Sequence, residues 1–320
     1  MKTKSFLLIV LFMNLWTIQA QTFQFDSLPN GSFTGIAEHR GSVWFSFDGN
    51  GGIVEFSPDQ GTFSIRTKGM NRKTITSLCT VNHTLVATHK FEGVFRFDDV
   101  LNEWINITPR AVQKDSNFFV SEAHQDTLMV GGANGYLFWT NNLGKSWNQI
   151  DVPGKCDVSS LRFIGTSWLL GSTNNRMFRI NRSLDRIYPV HVSNAPKGLY
   201  EFQDIDVLGD TLLTMNRGDG LYYSHDDGIT WQRCLLMDTL AFAWDIQLRN
   251  HAVQLYVPTI GSFEVPRLSN DRWYPVKPVY LLESKKVRYQ NEIQSYDLTI
   301  TFQPTTIYLD KRTSPPSAKP

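Results

Sequence analysis

Three carboxylate side chains, those of Asp48, Glu92 and Asp219, lie in short polar segments that follow apolar stretches of the chain. Two carboxyl groups held about 5 to 10 Å apart can hydrolyse a glycosidic bond, because one donates a proton while the other attacks the sugar or activates water. The sequence does not give these distances. A glycoside-acting enzyme that uses Asp48, Glu92 and Asp219 therefore stays open as one hypothesis.

Other catalytic and ligand-binding motifs do not occur in the sequence. The 7 histidines form no His-Glu-x-x-His pattern, which is the spacing of a zinc protease. There is no Gly-x-Ser-x-Gly elbow for a nucleophile and no Gly-x-x-x-x-Gly-Lys loop for phosphate. Cys79, Cys156 and Cys234 lie far apart with no Cys-x-x-Cys pair. We therefore expect no metal, no cofactor and no disulfide framework.

The composition excludes several classes of protein. With 41% apolar and 19% charged residues, the chain can bury a large core and is neither disordered nor fibrous. Its 31 basic and 30 acidic residues give a net charge of +1, so no overall field favours nucleic acid or anionic lipid. The 22 glycines, 14 prolines and 13% aromatic residues favour short strands joined by tight turns.

The amino terminus has the layout of a secretory signal. Lys2 and Lys4 precede an apolar run from Phe6 to Met13, and Ala20 is a small residue at the expected cleavage point. Residues 1–20 are predicted to be removed, so the mature protein would begin at Gln21 and be secreted or periplasmic. The apolar run is shorter than the roughly 20 residues of a membrane-spanning helix. No membrane span is therefore expected.

Aromatic residues recur with a period of about 42 residues, which is the repeat length of a propeller blade. A turn residue opens a short alternating stretch before each aromatic, as in Gly52 to Phe56 and Gly93 to Phe97. The recurring aromatics are Phe63, Trp104, Trp147, Tyr188, Trp231 and Trp273. An earlier strand in each unit is expected to begin near Val43, Leu85, Leu128, Trp168, Leu212, Val253 and Leu298.

These units predict an all-β protein, a seven-bladed β-propeller of four-stranded blades that spans residues 21–311. The last unit is split: Leu298 to Phe302 and Ile307 to Leu309 supply its middle strands, and Thr22 to Phe25 can supply the outermost one. Pairing the two ends of the chain would close the ring and remove exposed sheet edges. The Pro-rich and Ser-rich residues 312–320 are expected to form a disordered tail, and the protein is expected to be a monomer.

Two octapeptides resemble the Asp-box, or BNR repeat. Ser224 to Trp231 fits Ser-x-Asp-x-Gly-x-Thr-Trp at every position, and Thr140 to Trp147 is a close relative. The resemblance implies a structural hairpin turn on the face opposite the binding site, so the Asp226 and Asp227 carboxylates are not interpreted as a catalytic pair. The turn needs Asx side chains that accept N–H groups, glycines at positive φ and buried indole rings. These structural residues are Thr140, Asn142, Gly144, Trp147, Ser224, Asp226, Gly228 and Trp231.

The branches of this family imply different functions. Sialidases have fewer blades and an early Arg-Ile-Pro signature, which does not occur in this chain. A second branch, similar to the photosystem II assembly factor, is a binding scaffold without catalysis. The segment from Ser42 to Phe56 resembles the repeat units of propellers that precede bacterial two-component sensors. Membership of a fold does not fix function.

Loop position then predicts where a ligand binds. The face opposite the Asp-box turns gathers the loops that join the second strand to the third and each blade to the next, so polar groups converge there on a central mouth. Each of these side chains could instead only satisfy its own loop. We predict an exported, non-catalytic module that binds a protein or a glycan, with a glycosidase or sialidase-like enzyme as the alternative. The contact candidates are His89, Lys90, Asn134, Asn174, Asn216 and Arg217.

Overall fold

The computed structural model describes residues 22–28, 32–112, 117–193, 201–208, 210–217 and 219–233, and the strands of residues 245–248, 252–257, 261–266, 279–280, 287–293, 296–301 and 305–311. The predicted signal, residues 1–20, and the predicted tail, residues 312–320, lie outside the described residues. So do Cys234 and Trp273. The described residues form an all-β structure of antiparallel sheets with two short 3-10 turns, Ala133–Gly135 and Pro153–Lys155.

The sheets follow one another along the chain after strand β1 (Thr22–Leu28). The first sheet contains β2 (Phe33–His39), β3 (Ser42–Phe47), β4 (Gly52–Ser57) and β5 (Thr62–Ile65). The second contains β6 (Ile75–Val81), β7 (Thr84–His89), β8 (Gly93–Asp98) and β9 (Glu103–Asn106). The third contains β10 (Phe118–His124), β11 (Thr127–Gly132), β12 (Leu137–Thr140) and β13 (Asn148–Gln149). The fourth contains β14 (Val158–Ile164), β15 (Ser167–Ser172), β16 (Arg176–Asn181) and β17 (Ile187–Pro189).

The fifth sheet has an additional edge strand. Its members are β18 (His191–Val192), β19 (Phe202–Leu208), β20 (Thr211–Asn216), β21 (Gly220–Ser224) and β22 (Thr230–Arg233), and β18 runs parallel to β22. The next sheet contains β23 (Asp245–Leu248), β24 (Ala252–Val257), β25 (Gly261–Pro266) and β26 (Val279–Tyr280). The remaining strands are β27 (Val287–Ile293), β28 (Tyr296–Thr301) and β29 (Thr305–Lys311), and β1 pairs with β29.

We number the strands of the fifth sheet from β19, because β18 is an additional edge strand. The second strands of the first five sheets are then β3, β7, β11, β15 and β20, and they are buried along their whole length except for the first residue of β3, β7 and β11. Val43 to Phe47 is apolar apart from Ser46, as expected for a strand that is covered on both faces. These strands lie where the aromatic period predicts them. Antiparallel sheets of four strands, predicted from the sequence, are therefore the building unit of this fold.

The first strands of neighbouring sheets lie side by side, with β2 next to β6, β6 next to β10, β10 next to β14 and β14 next to β19. Each of these strands has a register shift near its start, as between Ile75 and Ser77 or between Val158 and Ser160. A bulge adds one residue to a strand and redirects side chains at that point. The shift therefore recurs at the same place in consecutive repeats.

Serine and threonine hydroxyls at these shifts join one sheet to the next. The Thr76 hydroxyl donates to the Phe118 carbonyl at 2.8 Å, and the Ser77 and Ser121 hydroxyls lie 2.6 Å apart. Between the fourth and fifth sheets the Ser159 hydroxyl donates to the carbonyl of Phe202 at 2.7 Å. These bonds are made between first strands that share no backbone ladder, so they hold the sheets in a common register.

The two octapeptide turns have the same hydrogen bonds. The Asp226 carboxylate accepts from the Thr230 amide at 2.9 Å, and the Asn142 side-chain oxygen accepts from the Ser146 amide at 3.0 Å. The hydroxyls of Ser224 and Thr140 accept from the amides of Gly228 and Gly144, whose φ angles are 74° and 80°. Burial raises the pKa of Asp226, but the hydrogen bonds from Thr230 and Ser224 more than offset this, so the pKa lies below its ordinary value.

The two tryptophans of these turns differ in burial. Trp231 is fully buried, and its indole N–H donates to the Gly228 carbonyl at 3.2 Å. Trp147 is only half-buried, although its indole N–H donates to the Ile107 carbonyl at 2.7 Å. The outer strands account for the difference. Trp147 precedes β13, which has only 2 residues, whereas Trp231 lies within β22, which has 4 residues and is covered by β18. The expected burial of both rings therefore holds for Trp231 alone.

We predict that Trp231→Ala lowers the free energy of unfolding by roughly 3 to 5 kcal/mol, because it leaves a cavity among fully packed side chains. The matched variant Trp147→Ala should lower the free energy of unfolding by clearly less, since part of that ring already faces solvent. Urea unfolding followed by circular dichroism measures both. Equal losses in the two variants would contradict the difference in burial.

Candidate functional site

One end of the sheets is built by the same backbone hydrogen bond in five consecutive repeats. In each repeat the residue after the second strand donates its amide to the carbonyl of the residue before the first strand. We call the surface formed by the loops at this end the loop face. The bonds are Asp48 to Ser32 (2.8 Å), Lys90 to Thr74 (3.1 Å), Ala133 to Asn117 (2.9 Å), Thr173 to Asp157 (3.1 Å) and Arg217 to Glu201 (2.9 Å).

His89 ends β7 beneath the loop face and is fully buried. Its Nδ1 atom accepts from the amides of Phe91 and Glu92 at 3.0 and 3.1 Å, so a proton on the ring belongs on Nε2. Nε2 lies 3.9 Å from the Glu92 carboxylate. Burial lowers the pKa of His89, and the charge of Glu92 opposes this. The neutral ring therefore supports its own loop.

The Glu92 carboxylate is bound to the segment that connects the first sheet to the second. One of its oxygens accepts from the amides of Asn71 and Arg72 at 3.2 and 3.3 Å. Asp48 accepts from the adjacent Gly49 amide at 2.5 Å. Both carboxylates therefore bond to backbone groups of the loops around them.

Asp219 lies in the fifth sheet, separate from the other two carboxylates. Its side chain accepts a hydrogen bond from the Tyr222 hydroxyl and lies 3.1 Å from the Arg233 guanidinium. Burial raises the pKa of Tyr222, and the hydrogen bond to Asp219 adds to this shift. The Tyr222 phenol is thus a donor that holds Asp219 in place. The structure groups Asp48 and Glu92 around His89 and leaves Asp219 with other partners.

An aromatic side chain flanked by cations lies on the loop face between β7 and β8. Phe91 is 37% exposed. The Arg72 guanidinium carbon lies 5.2 Å from its ring centroid, and the Lys90 Nζ atom lies 5.6 Å from it. Sequence reasoning selected Lys90 but missed Phe91 and Arg72. A large aromatic residue in the middle of a polar loop, Lys90-Phe91-Glu92-Gly93, was the available signal.

The other predicted contact residues divide into exposed and buried groups. Asn134 and Asn174 are exposed, with φ angles of 58° and 62°. Arg217 is exposed and lies 3.2 Å from Glu201. Asn216, in contrast, is fully buried, and its side-chain nitrogen donates to the side-chain oxygen of Asn175 at 3.0 Å. Like His89, Asn216 ends a second strand, so its side chain points between sheets and not toward a partner.

A central cavity of about 760 Å³ lies between the first strands of the first five sheets. Arg162 lies in its wall, 4.0 Å from Glu122 and 3.9 Å from Asp206. Burial raises the pKa of Glu122, and Arg162 opposes this shift. Burial also raises the pKa of the Cys79 thiol to about 12, which makes it a poor nucleophile. None of the sequence-predicted site residues lines this cavity.

The described residues contain no group of three or more histidine, cysteine or acidic side chains arranged to hold a metal ion. The same part of the chain has no helix of the length and apolarity that crossing a membrane requires.

Comparison with known proteins identifies the fold but no family. No family model matches the chain, and no curated protein matches it. Among solved structures, virginiamycin B lyase from Staphylococcus aureus with quinupristin has a TM-score of 0.67 at 13% identity over 92% of this chain and 99% of that one. YCF48 bound to D1 peptide has a TM-score of 0.64 at 12% identity, over 92% and 97%. The Cps50 (Swd1) β-propeller domain of Myceliophteria thermophila has a TM-score of 0.62 at 14% identity, over 89% and 99%. The chain is thus similar to β-propellers in its fold.

Proposed function

We propose that this protein is a non-catalytic β-propeller module that binds a protein partner through its loop face. The observation that carries the proposal is Phe91, exposed on that face between the cationic side chains of Arg72 and Lys90. A few residues supply most of the binding free energy in protein interfaces, and aromatic and arginine side chains are enriched there. A rigid aromatic ring also loses little conformational entropy on binding. The exposed residues Asn134, Asn174 and Arg217 lie in the corresponding loops of the third, fourth and fifth sheets and would supply polar contacts on the same face.

The contacts of the carboxylates favour binding over catalysis. Glu92 accepts two backbone N–H groups, and Asp219 is held by Tyr222 and Arg233. A general acid or nucleophile in glycoside hydrolysis must present its carboxyl group to the substrate, whereas these carboxyl groups make contacts within the protein. These carboxylates are therefore suited to ordering loops. The alternative, a glycosidase that uses Asp48, Glu92 and Asp219, remains an outcome of the experiment below.

The structural neighbours are compatible with either function. YCF48 is bound to D1 peptide, whereas the virginiamycin B protein is a lyase. Because one fold carries both binding and catalysis, the proposal depends on the site and not on the fold. A glycan could also stack on Phe91, and the same experiment distinguishes it from a protein.

We also propose that the sheets form a seven-bladed ring that β1 closes. The support is that β1 pairs with β29 while its side chains contact the first sheet. The ring of Phe23 lies 5.0 Å from that of Phe56, and the ring of Phe25 lies 5.2 Å from that of Phe63. The octapeptide turns would then be Asp-boxes on the face opposite the partner. The layout of residues 1–20 leads us to propose export, with Gln21 as the first mature residue.

Deleting residues 21–28 should abolish cooperative unfolding or leave the protein insoluble, because it removes the strand that pairs with β29 and the rings that pack on the first sheet. Thermal unfolding of the mature protein and of the deletion variant measures this effect. Removal of residues 312–320 is the control and should change nothing. A deletion of residues 21–28 that melts like the full-length protein would refute ring closure.

Phe91→Ala should weaken binding of the natural partner by roughly tenfold or more, as expected when an interface anchor is truncated. The partner is captured on the immobilised protein from the extracellular and envelope fractions of the source organism, identified by mass spectrometry and titrated as a pure protein. Val100→Ala is the matched control, because Val100 is 93% exposed in the β8–β9 turn at the opposite end of the sheet.

Three results would count against this function. Equal affinity of wild type and Phe91→Ala would remove Phe91 as the anchor. Hydrolysis of a glycan by wild type that Glu92→Gln or Asp219→Asn abolishes would favour the enzyme. If wild type binds a glycan without hydrolysing it and Phe91→Ala does not, the loop face is the binding site but its ligand is a glycan and not a protein.

A further inference from the structure

A second surface feature lies on the outside of the molecule, where the second and third sheets meet. It is a groove of about 920 Å³, which we call the rim groove. Its floor is apolar and consists of the half-buried side chains of Ile105, Ile107, Leu143 and Trp147. None of the loop-face residues discussed above lines the groove. Its lining residues Asn106 and Thr108 donate hydrogen bonds to the backbone carbonyl of Glu92, the neighbour of Phe91.

The rim groove exists because the outer strand of the third sheet is short. Strand β13 has 2 residues, whereas β5 and β9 have 4 each. Only Phe138 and Trp139 of β12 are paired with β13. The turn before β13 packs on the second sheet, since a Cβ atom on Gly144 would lie 2.7 Å from the Ile107 Cβ atom. The position of the floor is therefore fixed, and none of the described residues fills the space above it.

The charges around the rim groove have one sign. Arg96, Arg110 and Lys145 line it, and no aspartate or glutamate is among its lining residues. Arg110 and Lys145 are exposed. The Arg96 guanidinium lies 3.6 Å from the carboxylate of Asp98, which is not a lining residue of the groove. Three cations beside an apolar floor match a ligand that combines negative charge with apolar side chains.

The fifth sheet contains an example of an outer strand that pairs with an additional extended segment. There the chain itself adds β18 to the outer edge of β22 as a parallel strand. In the third sheet, no described residue pairs with the outer edge of β13. An exposed edge of this kind accepts an extended peptide by main-chain hydrogen bonds, while side-chain pockets supply specificity. The groove volume lies within the range of about 300 to 1,000 Å³ of ligand sites.

We propose that the rim groove binds an extended acidic peptide segment of a partner protein, with apolar side chains seated on Ile107 and Trp147. Residues 312–320 of this chain do not match the groove as its occupant, because their only charged side chains, Arg312 and Lys319, are cationic like the groove. An anionic glycan matches the charge but not the apolar floor. The site is separate from the loop face and does not depend on the function proposed for that face.

The test measures fluorescence anisotropy of labelled peptides with the mature protein. The probes are a short peptide of alternating glutamate and leucine, its glutamate–serine counterpart and its lysine–leucine counterpart. The glutamate–leucine peptide should bind, and the other two should bind at least roughly tenfold more weakly. Arg110→Glu and Lys145→Glu should each weaken its binding by roughly tenfold. Lys155→Glu, an equal change of charge at an exposed site outside the groove, should leave it unchanged.

Thermal unfolding checks that each variant is folded. If a charge reversal unfolds the protein, Arg110→Gln and Lys145→Gln replace it and should still weaken binding. The proposal is overturned if wild type does not bind the glutamate–leucine peptide, or if Lys155→Glu weakens binding as much as Lys145→Glu. Equal binding of the glutamate–serine peptide or of a heparin fragment would also overturn it, because the apolar floor would then have no role. Phe91→Ala should leave this binding intact, so the two proposals can fail separately.

Discussion

The hydroxyl groups at the start of the first strands are the contacts on which the arrangement of the sheets depends. Among the described strands, no backbone ladder joins the first strand of one sheet to that of the next. Thr76 and Ser77 bond across to β10, and Ser159 bonds across to β19. These bonds lie at the register shifts, where a bulge turns the side chains sideways. A buried hydroxyl group without a hydrogen-bond partner destabilises the folded state. The hydroxyl groups that bond in this register would therefore destabilise any other register of the two sheets.

The loop face follows from this arrangement. The amide after each second strand bonds to the carbonyl before the first strand, and this contact recurs from Asp48 to Arg217. These bonds therefore fix the positions of the loops relative to the hydroxyl contacts at the start of the first strands. Within them, buried polar groups such as His89 and bound carboxylates such as Glu92 order the backbone. The side chains left over, above all Phe91 with its two cations, are the ones available to a partner.

The sequence predicted the repeat well because each repeat has a buried second strand and an aromatic residue in or beside its outer strand. The spacing of Trp104, Trp147 and Trp231 reflects one ring per sheet, and Gly93 or Gly220 opens a third strand at positive φ. The side chains of the predicted mouth were harder to predict. His89 and Asn216 both end a second strand, and a one-residue difference in register decides whether such a side chain faces a loop or the neighbouring sheet.

Features that depend on contacts between repeats were not predictable from one repeat. The half-burial of Trp147 results from the short β13, which is not marked by any residue type. The rim groove needs Arg96 from one sheet and Lys145 from the next, which lie far apart in the sequence. The central cavity likewise joins first strands whose side chains look like ordinary strand residues. Local chemistry thus predicted the sheets, and packing between sheets determined the surfaces.

Hydrogen exchange of the Ser77→Ala variant, followed by mass spectrometry, tests most directly whether the hydroxyl contacts hold the sheets in register. The hydroxyl of Ser77 lies 2.6 Å from those of Thr88 and Ser121. The account predicts faster exchange in both β6 and β10 and in the loop segment 71–74, with no change in Thr62→Ala, an exposed hydroxyl on β5. Exchange that stays unchanged in β10, or that increases only within the second sheet, would contradict it.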